Sequence, residues 1–121
     1  MTYEYYYPPM SYDQIVATQG EIIGQWVMGD WQGDYIYLLK NEDKYSFYVI
    51  GYGSCSGCDV LEGCENDEEF NNLKEDIINS IAWGTKQEII DHINNEEANR
   101  WYFHEDGWEE IRKEALEKLN A

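Results

Sequence analysis

A chain of 121 residues, 43% hydrophobic and 16% aromatic, suits one compact domain with a buried core and excludes wholesale disorder. Eight basic residues against 25 acidic ones leave a formal charge of -17, a field that repels phosphate backbones and anionic lipid. Direct binding to nucleic acid or to a membrane surface is therefore disfavoured, and no apolar run approaches the length of a membrane span.

Residues 1–10 read as an aromatic arm ahead of a single domain over 11–121. The arm has neither the basic region nor the apolar stretch of a secretory signal, so a cytoplasmic protein is expected. Ser11-Tyr12-Asp13-Gln14 has capping-box spacing and Gly20 supplies a stop, which predicts a short helix over 12–19. Three strands follow, over 21–28, 34–40 and 45–52, with turn-forming residues between them. Such short connections favour an antiparallel meander. The strands are apolar on both faces, so one face should pack on helices. Coverage of the other by the arm is favoured over an exposed aromatic surface.

The second half reads as helical. Phe70, Leu73, Ile77, Ile78 and Ile81 form the stripe of a core-facing helix over 67–82. Thr85-Lys86-Gln87-Glu88 is another capping box, opening a helix that buries Ile89, Ile90 and Ile93. Arg100 to His104 reads as a short strand or extended segment. Asp106 through Glu109 should cap a last helix that turns Trp108, Ile111, Ala115, Leu116 and Leu119 inward. The fold class is therefore α+β, a three- to four-stranded antiparallel sheet packed against about three helices.

Three segments could carry chemistry. Cys55, Cys58 and Cys64 lie within ten residues, odd in number and clustered, which argues against a secreted disulfide framework. Cys55 and Cys58 have the knuckle spacing of a zinc site, with Cys64 as a third ligand and His104, His92 or Asp59 as a fourth. A thiolate stabilised at a helix N-terminus would instead suit redox or nucleophilic chemistry. The reading given most weight is conformational, with glycines making a tight turn and the cysteines serving as small buried hydrophobes. On this reading no cofactor is needed, zinc being the alternative.

Asp30, Trp31 and Asp34 sit in a Gly-Asp-Trp-Gln-Gly-Asp turn, where the carboxylates could meet a cation, although Asp and Gly also serve the turn itself. Tyr52 and Asp59 bracket the cysteine loop and join this list of candidate binding residues, because one hairpin separates the two segments. The third feature is the acidic excess. Residues 59–76 hold eight carboxylates against Lys74, and residues 88–110 hold eight more against Arg100. At helical spacing such carboxylates lie about 5–6 Å apart, close to phosphate spacing, so Glu68, Glu69, Asp91 and Glu97 could imitate a nucleic-acid backbone. A solvated face that keeps the chain soluble is the simpler account.

Trp31-Gln32-Gly33-Asp34-Tyr35 followed, after a hairpin, by Val49-Ile50-Gly51-Tyr52-Gly53-Ser54-Cys55-Ser56-Gly57-Cys58-Asp59 resembles the core of a family of small, uncharacterised proteins of bacteriophages and bacteria. The likeness is specific over residues 30–65. It implies no catalytic residue. What it implies is an accessory protein of the host cytoplasm, quite in keeping with a phage origin. Together with charge and size it points to a non-enzymatic interaction protein that binds or inhibits a host protein with a basic surface. A zinc-stabilised binding module and a thiol-dependent enzyme or sensor are the alternatives.

Overall fold

A computed structural model describes residues 6–29, 33–53, 59–102 and 105–121. In chain order the elements are α1 (Tyr12–Ala17), β1 (Glu21–Gly29), β2 (Gly33–Asn41), β3 (Lys44–Tyr52), α2 (Asp67–Ser80), α3 (Lys86–Asn94) and α4 (Trp108–Leu119). The strands form an antiparallel sheet in the order β1-β2-β3. The expected α+β architecture is therefore present, with three strands and four helices among the described residues.

Local chemistry explains most boundaries. Both capping boxes form, Ser11 with Gln14 at α1 and Thr85 with Glu88 at α3, so backbone donors with no helical partner are satisfied at each start. Asn66 caps α2 by accepting from the Glu69 amide at 2.9 Å. The β2–β3 hairpin turns on Glu42 and Asp43, and Glu42 takes the left-handed conformation at φ 56°.

Alternation along β2 splits the core in two. Tyr37 and Leu39 face one way, joined by Ile50 of β3, and pack on Ile15 and Val16 of α1 and on Phe70 and Ile77 of α2. Leu38 and Tyr45 face the other way and meet Ile89 and Ile93 of α3 and Ala115 and Leu119 of α4. Ile36 on that face meets Trp108 and Ile111. The sheet is thus the middle of three layers, and both faces are covered by helices rather than one by the arm. Each large apolar side chain buried this way contributes about 1.5–3 kcal/mol. The arm adds to the first face through Tyr6 and Met10, while Tyr7 stays exposed.

Two further expectations fail. Arg100 to Tyr102 is not a strand. These residues lie in turns after α3, held by Asn99, which is buried and donates through Nδ2 to the His92 carbonyl at 2.7 Å and the Asn95 carbonyl at 2.9 Å. Those bonds satisfy carbonyls left over at the end of α3, and they curl the chain where an aromatic run reads as extended. His104 lies outside the described residues. At α4, Asp106 does not cap. The cap residue is Gly107, at φ 91°, with no side-chain hydrogen bond. A glycine takes that conformation without steric cost, and Glu109 and Glu110 supply negative charge to the first turn instead.

Candidate functional site

At one end of the sheet, β2–β3 pairing sets Asp34 against Gly51 and Gly33 against Tyr52, so the two segments flanking the hairpin meet there. Gly33 is required by close approach, since a Cβ at that position would lie 1.9 Å from the Met28 carbonyl oxygen. The turns after α3 bring Trp101 and Tyr102 to the same end. Tyr102 stacks on Trp108, with ring centroids 5.4 Å apart, and donates its hydroxyl to Asp34 Oδ2 at 3.1 Å. Burial, with the Asp34 carboxylate beside it, pushes the Tyr102 phenol up to about 12.

Between these parts lies a recess of about 430 Å³ lined by Met28, Gly29, Asp34, Trp101, Tyr102, Glu105 and Asp106. Trp101 is 76% exposed, and the Arg100 guanidinium lies 5.4 Å from its ring centroid. Carboxylates beside an exposed indole make a recess suited to a cationic group, because the ring quadrupole and the acids attract the same charge, as the Arg100 guanidinium over that ring illustrates. Asp34 was legible from the turn sequence. Trp101 and Tyr102 were not, because they fall in a run that reads as a strand, and Asp106 reads as part of a helix cap. Asp30 and Trp31 lie outside the described residues.

Asp59 and Tyr52 serve the fold. Asp59 is buried and accepts from Tyr12 Oη at 2.7 Å and from the backbone amides of Gly53, Leu61 and Glu62 at 2.9, 3.0 and 3.1 Å. It thereby ties Gly53 and Tyr12 to the turn that follows, and it accepts four hydrogen bonds from the chain's own donors. Burial, then the hydrogen bond to Asp59, raises the Tyr12 phenol. Tyr52 stacks on Tyr35 at 4.4 Å and donates to the Gly29 carbonyl at 3.2 Å.

Cys64 is buried in the first core cluster and directs its Sγ to the Val60 carbonyl at 3.4 Å. Burial raises its thiol, with Glu69 and Asp59 adding to the effect, which opposes thiolate formation. Cys55 and Cys58 lie outside the described residues, and among the described residues no three potential ligand groups come together.

The four acidic residues singled out on the helical surface are exposed. Glu68 and Glu69 stand in the first turn of α2, Asp91 on α3, and Glu97 in the turn after it. Since α2 and α3 cover opposite faces of the sheet, these four form two acidic walls rather than one stripe. Among the described residues one salt bridge forms, Arg112 to Glu109 at 2.8 Å, so the other described acids are not neutralised by ion pairs with described residues. Comparison with protein-family models, with curated proteins and with solved structures found no match.

Proposed function

We propose that this chain is a non-enzymatic interaction protein that engages a partner with a basic surface through its exposed carboxylates. The observation that carries this reading is the uncompensated charge: a formal -17 with a single internal ion pair among the described residues. Such a field opposes folding by self-repulsion and favours association with a cationic surface. The recess at Asp34, Trp101 and Tyr102 offers a place where a lysine or arginine side chain of that partner could anchor. The resemblance noted above suggests a host nucleic-acid-binding or defence protein as the partner to test first.

Reversing Glu68, Glu69, Asp91 and Glu97 to lysine should weaken binding of a basic partner by at least about tenfold. The same number of reversals at exposed Glu21, Glu42, Asp43 and Glu117 is the control, and these should weaken it far less. Equal losses in both variants would reduce the effect to bulk charge and remove the assigned surface. Unchanged binding in the first variant would sink the reading.

A further inference from the structure

The two edges of the sheet are built differently. Along β1 the register shifts between Ile22 and Gly24, a bulge of the kind that blunts an edge. Along β3 pairing with β2 runs without a shift from Lys44 to Tyr52. At its start Tyr45 exchanges both backbone hydrogen bonds with Gly84, at 2.8 and 2.9 Å, on the side away from β2. Alternation then turns the N–H and C=O of Phe47, Val49 and Gly51 to that same side. Among the described residues, no backbone group pairs with these three there.

Edges of natural sheets are protected by charge, proline or bulges. Residues 45–52, Tyr-Ser-Phe-Tyr-Val-Ile-Gly-Tyr, carry none of these, in a chain of which 27% is charged. The helices beside this edge are α2 and α3. Tyr48 Oη reaches Ser80 and the Ile77 carbonyl on α2, and the Phe47 ring lies 6.3 Å from that of His92 on α3. The α2 helix carries Asp67, Glu68, Glu69, Glu75 and Asp76 against Lys74, and α3 carries Glu88 and Asp91 against Lys86. An uncharged, unbroken edge thus runs between two helices with an acidic excess.

We propose that the β3 edge accepts an extended, lysine- or arginine-rich segment of a partner protein by strand addition. The occupant's main chain pairs with Phe47, Val49 and Gly51, and its alternate side chains reach towards the carboxylates of α2 and α3. Charge selects this occupant over a second copy of the chain, since two copies at -17 each would repel. The inference rests on the reading of the chain as a binder of basic partners, and it adds where and in what conformation the partner binds.

The test is amide hydrogen exchange on the full chain with a peptide of about eight residues alternating lysine and valine. A second peptide, N-methylated at every residue, lacks the main-chain donors on both of its edges. The first peptide should slow exchange at Phe47, Val49 and Gly51 by about tenfold or more, and the second should not. Val49→Pro removes a donor that β2 does not use, and should weaken binding by about tenfold. Tight binding with unchanged exchange at the three amides would overturn strand addition while leaving the acidic-surface reading standing. Absence of any binding by the basic peptide would overturn both. Protection that rises with the protein's own concentration, without peptide, would assign the edge to a second copy and overturn the proposal. If Val49→Pro fails to fold, the paired peptides still decide.

Discussion

A buried carboxylate survives in a fold when donors surround it, and Asp59 receives four: Tyr12 Oη and the amides of Gly53, Leu61 and Glu62. In Asp59→Asn one oxygen becomes an NH₂ that faces donors in a buried site, so stability should fall by about 2–3 kcal/mol in denaturant titration. Loss of less than about 0.5 kcal/mol would show that the fold does not depend on this hub. Glu42 supplies the opposite case. Its left-handed backbone costs a side chain with a Cβ about 1–2 kcal/mol. Glu42→Gly, which also removes a negative charge, should therefore stabilise the hairpin by about 1 kcal/mol. Residue-scale roles were only partly legible. Asp59 reads in the sequence as a candidate binding residue beside the cysteine loop, and its meeting with Tyr12, 47 residues away, is not one that a single sequence announces.

At the scale of elements, the sequence carried most information where side chain and backbone talk locally. Both capping boxes and the α2 stripe could be read directly, because their partners lie within a turn or two of each other. Thr85→Ala should accordingly cost about 1 kcal/mol, and the loss should appear as fraying of α3 in amide exchange. The segment after α3 could not be read in this way. Its conformation depends on Asn99 reaching back to carbonyls at the end of α3, and the aromatic run overrode that signal. The meeting of Tyr102 with Asp34 spans 68 residues and follows from topology alone. The coverage of both sheet faces was hidden for a related reason. A strand apolar on both sides says that something covers it, without saying what.

For the whole molecule two collective effects follow from charge and tyrosine. The Tyr102 phenol is raised from 10.0 to about 12, and Tyr12 and Tyr37 are raised further, in each case by burial first and then by a neighbouring carboxylate. The folded chain therefore holds protons that the unfolded chain releases near pH 10. The stabilisation from this difference is complete below that pH and is lost as pH rises through about 12. Tyrosinate absorbance should accordingly appear in two stages, exposed phenols first and the buried ones together with loss of helical signal. A single early stage in a folded chain would contradict this. Repulsion among the carboxylates acts at neutral pH, so raising salt from about 0.02 to about 0.5 M should stabilise the fold by about 1 kcal/mol, read as a higher Tm. A protein held together by surface ion pairs would respond in the opposite sense.

The uncompensated carboxylates are proposed to form a binding surface rather than a merely solvated one. Calorimetric titration of the full chain with an oligolysine of about ten residues tests it most directly, run on the wild type and on the Glu68, Glu69, Asp91 and Glu97 reversal. Saturable binding at a defined stoichiometry is expected, weakening with salt and falling at least about tenfold in the reversed chain. Non-saturating heat, or equal affinity in the two chains, would contradict it.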